Sequence, residues 1–431
     1  MEGISSNLKK LAKLAVDSGE RIYVVGGYIR NKLLESYSTD IDLSGTCDPE
    51  GIQKLAGKCG FKCQVINEKL GSCLLTLNNE QYEYTPFRRD IYSDGGFHTP
   101  ERVEFVKDIE VDVARRDFTM NTIYYDIEQG GYIDIFNAKK DIKHKLLKCI
   151  ISPRHVFSSD GLRILRLVRF TCELDLNIER ETFKAASKYA FQLKDISKER
   201  ILKELKLMIT SDSRNDYDDK AHVRALRLLN QLGLWRYIFN AEYKKFKVVL
   251  HGEVFNMYKN CKPEDRFNAF ICLVFYSIFK SFMFNDQLIE YSLNNLLGRD
   301  GLKIPKSIGT IRSMLYVLRD LTSKKNSNYD YNKLCIAYHN LSDQSRAIIS
   351  SGFDTTKIEE HIHELHANKV PFKMGDVDIS SKELMELGIP NKILSKVYSL
   401  IMFELVNETV KNKKEDILEY VNTKLKEYIK Q

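Results

Sequence analysis

The residues with the clearest chemical use lie in VVGGYIRNKLLESYSTDIDLS, residues 24–44. A β-type run enters Gly26-Gly27, and a helical pattern starts near Tyr28. Paired glycines at a strand–helix junction let a ligand approach the backbone closely. The free N–H groups and partial positive charge at a helix start suit phosphate, and Arg30 adds a full charge in the first turn. Asp40 and Asp42 follow. Residues i and i+2 of a strand share a face, so the two carboxylates are expected to converge, with Ile41 and Leu43 turned to the core. Two carboxylates at one point do not both stay ionised cheaply without a cation. Mg²⁺ meets that need and also bridges triphosphate oxygens. A tight turn and an edge-strand cap would explain each half separately, but not their succession in so short a segment.

A second polar cluster stands in DVARRDFTMNTIYYDI, residues 112–127. Arg115, Arg116, Asp117, Thr119 and Asn121 precede a β-rich run. Arginine forks bind phosphate, while Asp117 and Asn121 suit ribose hydroxyls or support the arginines. A solvated turn with a charge ladder is the competing reading. The third cluster, SSDGLRILRLVRF, residues 158–170, sets Arg163, Arg166 and Arg169 at three-residue spacing behind Asp160. On a helix this makes one drifting stripe, with Leu162, Ile164, Leu165 and Val168 covering much of the rest. An Asp acceptor beside an Arg fork has the parts needed to read a base edge. Within the helix only Asp160 is available to three arginines, which points to an anionic partner. In a fourth segment, SKERILKELKLM, residues Glu199, Arg200 and Glu204 read as a salt-bridged helix bracing its neighbour.

Elements of two kinds must position these groups. Up to about residue 140 the chain alternates short β-rich runs and turns: RIYVVGG, TDIDLSG, two strands around Asn78-Asn79 in SCLLTLNNEQYEYTPF, then RVEFV and TIYYDI. Beyond it, apolar residues recur at helical spacing, as in HVRALRLLNQLGLWRYIF, and only 8 prolines occur in the chain. The expected fold class is α+β, an N-terminal α/β head followed by an all-helical remainder.

The 431 residues, 43% hydrophobic and 29% charged, exclude a mostly disordered chain. A net charge of +7 permits a polyanionic partner without demanding one. The 9 cysteines are scattered; Cys59 and Cys63 lack a second pair at zinc spacing, so reduced thiols are expected. The first twenty residues form an amphipathic helical pattern rather than an apolar leader. The most apolar stretch, Phe267 to Phe284, is interrupted by polar residues and reads as a buried helix. A cytoplasmic protein with no membrane partner is expected. HIHELH offers His361, His363 and His366, but no carboxylate frame surrounds them, and metal binding there is not expected. VGGYIR lacks the Gly-Lys-Ser/Thr of a Walker loop.

In this order, the four clusters resemble the class II tRNA nucleotidyltransferases, the CCA-adding enzymes, a group that also contains bacterial poly(A) polymerases. The family's first motif, GG-x-[VI]-R-D-x-L-L followed by D-x-D, stands here as Gly26, Gly27, Ile29, Arg30, Leu33, Leu34, Asp40 and Asp42, with Asn31 where an aspartate is usual. R-R-D-F-T-x-N is complete from Arg115 to Asn121. GGYIDIFNAKKDI resembles the start of the family's neck, and the base-selecting E-D-x-x-R appears as Ser159, Asp160, Gly161, Leu162, Arg163. E-R-x-x-x-E-L is Glu199, Arg200, Glu204 and Leu205, and DVDISSKELMELGIP resembles the tail element.

The resemblance implies a polymerase beta-like head over 1–140, a helical neck with the base-selecting motif over 141–240, a helical body over 241–350, and a tRNA-binding tail over 351–431. It implies template-independent addition of CCA to the 3′ end of tRNA from CTP and ATP, with Asp40 and Asp42 holding two Mg²⁺ ions. Glu83 would be a supporting third carboxylate. Gly26, Gly27, Arg30, Arg115, Arg116, Asp117 and Asn121 would hold the nucleotide. Asp160 and Arg163 would read its base, with Arg166 and Arg169 on the same stripe. The RNA partner would be the tRNA acceptor arm, gripped through phosphates. Within the family, CC-only enzymes lack the loop that is here TPFRRDIYSDGGFHTPERVEF, with Arg88, Arg89 and Asp90. The G-[RK]-[RK]-F signature of poly(A) polymerases does not follow Asp42. A-only addition stays open. An inactive RNA-binding protein is disfavoured by the intact Asp40 and Asp42.

Overall fold

The computed structural model describes residues 3–36, 40–91, 100–211, 221–239, 247–280, 286–298, 301–323 and 327–425. Residues 92–99, in the middle of the segment that carries Arg88 to Asp90, lie outside this set. The chain divides into two compact units, 1–246 and 247–431.

In the first unit the strands are β1 (Ile22–Val25), β2 (Asp42–Gly45), β3 (Lys62–Asn67), β4 (Ser72–Leu77), β5 (Glu80–Pro86), β6 (Arg88–Ile91), β7 (Arg102–Phe105), β8 (Tyr124–Asp126), β9 (Gly131–Ile133), β10 (Leu146–Leu147) and β11 (Asn177–Ile178). Its helices are α1 (Ser6–Asp17), α2 (Gly27–Leu33), α3 (Pro49–Lys58), α4 (Ile109–Ala114), α5 (Ala138–Lys143), α6 (Pro153–Ser159), α7 (Leu162–Glu173), α8 (Arg180–Lys188), α9 (Lys198–Thr210), α10 (Ala221–Leu232) and α11 (Trp235–Ile238).

Seven strands form one mixed sheet in the order β3-β4-β5-β2-β1-β8-β9. All pairs are antiparallel except β2–β5. The expected strand runs all appear. The β4–β5 turn places Asn78 at φ 53°, a left-handed state that asparagine tolerates. Strand β3 escaped the sequence pattern because it is a sheet edge, exposed along most of its length, so no apolar alternation marks it. Helix α1 buries Leu8, Leu11, Ala12 and Ala15, and Ser5 caps it by accepting from Leu8 N–H.

Beyond the sheet, α7 buries Leu162, Ile164, Leu165, Leu167, Val168 and Phe170, which fixes its apolar side. The nine cysteines are free thiols.

The second unit is helical among its described residues: α12 (Glu253–Asn260), α13 (Arg266–Lys280), α14 (Asp286–Leu297), α15 (Ile308–Thr322), α16 (Asn328–His339), α17 (Asp343–Ser350), α18 (Thr356–Ala367), α19 (Ser381–Glu386), α20 (Leu394–Val406) and α21 (Lys414–Tyr420). The apolar stretch from Phe267 forms the buried helix α13 as expected. Among the described residues no helix is long and apolar enough to cross a membrane. The tail segment has its own core, in which Val377, Ile379, Leu384 and Ile389 meet Val397, Ile401 and Ile417. Ser380 and Glu383 form a capping box at the start of α19. His361 is engaged by Asn332 and Glu364 at 2.7 Å each, and His366 stacks on Phe372 at 4.1 Å. His361 and His366 are thus engaged by neighbouring side chains, while His363 is exposed.

Candidate active site

The carboxylates meet at the centre of the sheet. The β1–β2 register sets Val25 opposite Asp42, and the parallel β2–β5 register sets Glu83 opposite Asp42. Asp40, exposed, lies just before β2 begins, while Ile41 and Leu43 are buried as the alternation requires. Burial first, then the charges of Asp40 and Glu83, push the Asp42 carboxyl up to about 6, against the opposing fields of Arg116 and Arg30. A carboxyl raised by burial and then by like-charged neighbours is one that a bound cation would relieve. Among the described residues no group of three or more His, Cys, Asp or Glu side chains is gathered tightly enough to hold a metal unaided. Mg²⁺ usually takes one or two protein carboxylates and completes its octahedron with water and substrate phosphate. The Asp40–Asp42 pair with Glu83 beside it fits that ion.

Gly26 closes the other side. Its φ of 77° and ψ of −131° form a backbone state open to glycine, and a Cβ there would lie 3.7 Å from Asp42 Oδ2. Gly27 begins α2, the strand–helix turn predicted from the glycine pair.

Arg30, expected to help hold the nucleotide, is engaged inside the protein. It is 7% exposed rather than free in the first turn. Its Nη1 donates to Asn121 Oδ1 at 2.8 Å, and its Nε and Nη2 donate to Asn31 Oδ1 at 3.1 and 2.9 Å. It braces the turn from behind. Asn31, standing where the family usually has aspartate, still accepts from this guanidinium, as a neutral amide.

The R-R-D-F-T-x-N segment is fixed by buried acids. Arg115 and Arg116 both pair with Asp112, at 2.7 and 3.1 Å. Asp117 accepts from Phe118 N–H at 2.8 Å, from Asn121 Nδ2 at 2.9 Å and from Arg166 Nη2 at 2.7 Å. Burial would raise Asp117, but Arg166 and the Asn121 amide outweigh it and hold the carboxyl well below the usual range. Thr119 donates to Asp141 at 2.7 Å.

The arginine stripe of α7 corrects the sequence reading that its charges lack acids. Arg166 pairs with Asp117 of the head, and Arg169 with Glu204 at 2.8 Å and Glu173 at 3.0 Å. Both guanidiniums also lie over the Phe170 ring, as does that of Arg30. Arg163 donates to Arg115 C=O at 2.6 Å, Ser159 Oγ at 3.1 Å and Val156 C=O at 3.3 Å. Asp160 accepts from Leu162 N–H at 3.0 Å and pairs with Arg200 at 2.7 Å. The bracing role expected of Glu199, Arg200 and Glu204 is thus carried by Arg200 and Glu204, each on one residue near α7. Arg163 and Arg115 border a cleft of about 580 Å³, together with Arg89, Asp90, His155 and Ser159.

Sequence reasoning passed over Asp112, Tyr124 and Phe170. Asp112 had a legible signal, since it stands three and four residues before Arg115 and Arg116. Phe170 had half a signal, since Arg166 stands four residues before it on α7, but Arg30 reaches it from α2.

A mixed sheet with carboxylates on its central strands, followed by helices, defines a polymerase-type nucleotidyltransferase architecture. Residues 22–148 match the poly A polymerase head domain family, and residues 175–244 match the family described as a probable RNA and SrmB-binding site of polymerase A. The CCA-adding enzyme of Ligilactobacillus salivarius is 27% identical over 100% of both chains. That of Staphylococcus epidermidis is 32% identical over 49% of this chain and 51% of its own. The crystal structure of the Bacillus stearothermophilus CCA-adding enzyme in complex with CTP superposes with a TM-score of 0.59 at 22% identity, covering 99% of this chain and 100% of the other. The Thermotoga maritima CCA-adding enzyme complexed with tRNA gives 0.60 at 18% identity over 98% and 97%. These two likenesses show a shared fold. Residues 22–148 thus carry a poly A polymerase head domain, and the relatives named here, over the full chain or half of it, are CCA-adding enzymes.

Proposed function

We propose that this protein adds CCA to the 3′ end of tRNA, using CTP and ATP and releasing pyrophosphate. The observation that carries the reading is the Asp40–Asp42–Glu83 cluster beside the Gly26-Gly27 turn, in a chain whose full-length relative is a CCA-adding enzyme. Asp40 and Asp42 would hold Mg²⁺, with Glu83 in support. Bound Mg²⁺ supplies the charge that favours deprotonation of the RNA 3′-hydroxyl and steadies the departing pyrophosphate. The Gly26-Gly27 backbone admits the triphosphate without a side chain in the way, and Arg115 and Arg116 offer positive charge to it. Asp117 and Asn121 hold the segment that carries those arginines, and Arg30 holds Asn121.

Base choice would rest on Asp160 and Arg163. A carboxylate accepts from the exocyclic amine of cytosine or adenine, and a guanidinium satisfies the ring nitrogen. Uracil and guanine present a carbonyl and an N–H instead, which leaves buried groups unpaired at roughly 1–3 kcal/mol per lost bond. The chain would divide into head (1–140), neck (141–240), body (241–350) and tail (351–431), the last gripping tRNA through its phosphates.

The test uses tRNA transcripts ending before CCA, after C and after CC, with CTP and ATP separately and together, and products sized to one nucleotide. CTP alone should add two residues to the first substrate, and ATP should add one to the third. Asp40→Ala and Asp42→Ala should each abolish addition. Extension of none of the three transcripts, or near-normal turnover in both variants, would overturn the reading.

A further inference from the structure

Asp112 is fully buried on the short helix α4, yet it carries no part in the chemistry described above. Five donors converge on its carboxylate. Oδ1 accepts from Arg115 Nε at 2.8 Å, from Arg115 Nη2 at 2.7 Å and from Arg88 backbone N–H at 3.3 Å. Oδ2 accepts from Arg116 Nη2 at 3.1 Å and from the Tyr124 hydroxyl. That hydroxyl also accepts from Arg116 Nε at 2.9 Å, and the Arg116 guanidinium lies 5.1 Å from the Tyr124 ring centroid. Tyr124 sits on β8, opposite Val25 at the end of β1, one residue before the glycine turn. One carboxylate therefore ties two consecutive arginines to the strand that delivers the turn.

The charge balance matters. Two guanidiniums share one carboxylate, so the cluster keeps a net positive charge directed from fixed side chains. An arginine held by a fork has already lost the rotamer freedom that phosphate binding would otherwise remove. Arg116 also bears on Asp42, where its charge opposes part of the rise of that carboxyl.

We propose that Asp112, with Tyr124 as its second support, is the positioning residue that sets Arg115 and Arg116 for the nucleotide triphosphate. The inference rests on the nucleotidyl-transfer reading above. It makes a particular demand on kinetics: because the triphosphate is common to all nucleotides, loosening the arginines weakens every nucleotide alike and leaves base choice untouched.

Asp112→Asn keeps the shape, removes the charge and turns an amide N–H₂ toward the guanidiniums. KM for CTP and for ATP should rise together about tenfold, the size of one charge-assisted hydrogen bond. The kcat should stay within about twofold and the preference over UTP and GTP should not change. Asp112→Glu, which restores the charge, should recover most of the loss. Tyr124→Phe, which keeps the ring and removes only the hydroxyl, should raise both KM values about threefold and provides the reading if Asp112→Asn does not fold. Calorimetric titration with CTP in the absence of RNA separates the two layers. A wild-type protein that extends tRNA, with KM and CTP affinity unchanged in both variants, would overturn the positioning role alone. A wild-type protein that binds CTP but extends no tRNA would overturn the proposed function, while weakened CTP binding in the variants would still support the positioning role. Wild-type protein that binds no CTP would overturn both.

Discussion

Replacing the central carboxylate should make the protein more stable while it stops catalysing. In the folded chain the Asp42 carboxyl is pushed from 3.8 up to about 6, by burial first and then by Asp40 and Glu83. At 1.36 kcal/mol per pH unit this displacement corresponds to about 3 kcal/mol. Asp42 is only partly buried, and solvent screening brings the expected effect to about 2 kcal/mol. The sign follows from linkage. Between pH 3.8 and about 6 the folded state binds the proton more tightly than the unfolded state, so stability falls as pH rises through that window. The full penalty is present above about 6 and absent below 3.8. Asp42→Asn does not titrate and should exceed the wild type by about 2 kcal/mol at pH 7.5, the gap closing toward pH 4. Urea unfolding without divalent metal measures it, and the chain supplies its own probe. Trp235 is the single tryptophan, fully buried, and lies in the same unit as the carboxylates. Adding Mg²⁺ should narrow the gap by stabilising the wild type. A variant no more stable than the wild type at pH 7.5, or a gap independent of pH, would refute the electrostatic account of the cluster.

Two further outcomes follow from the neck. Asp160→Ala should relax discrimination against UTP and GTP more than it weakens phosphate binding; competition assays with the four triphosphates check this, and full retention of the CTP and ATP preference would place base reading elsewhere. Glu204→Ala should lower stability by about 2 kcal/mol, because the half-buried Arg169 guanidinium loses its buried acid and keeps the more exposed Glu173; the shift in urea midpoint of Trp235 fluorescence measures it.

Much of this site was legible because its signals are local. The Gly26-Gly27 turn, the strand after Asp40 and the burial of Ile41 and Leu43 all follow from patterns within one or two turns of chain. The β4–β5 hairpin was readable from Asn78-Asn79 for the same reason. Edge strand β3 was not, since exposure on both faces erases the alternation that marks a strand. The seven-strand order was out of reach for another reason: the parallel β2–β5 pair that brings Glu83 to Asp42 skips two intervening strands. Glu83 entered the argument through family resemblance and not through its own neighbourhood in sequence.

The arginines mark where local reading ends, and the way it ends narrows the functional argument. Counting acids along α7 left three arginines facing one aspartate. One missing acid is local, Glu173 four residues beyond Arg169; the others arrive from 49 residues away for Arg166 and 35 for Arg169, distances at which periodicity carries no information. Once they are counted, the stripe no longer argues as a whole for an anionic partner. Arg163 is the exception, because the contacts named for it are with two carbonyls and a hydroxyl, all neutral oxygens. A guanidinium held by neutral acceptors exchanges them for a ligand more readily than one held by a carboxylate, whose charge-assisted bonds are about twice as strong. Asp160 is bound the other way, in an ion pair with Arg200. Reading a base would require Asp160 to share its oxygens between Arg200 and the incoming amine, which a carboxylate with about four acceptor positions can do. Arg163 would instead let go of backbone. The demand for a negatively charged or hydrogen-bonding partner that the sequence spread over three arginines therefore concentrates at Arg163, on the edge of the cleft it shares with Arg115.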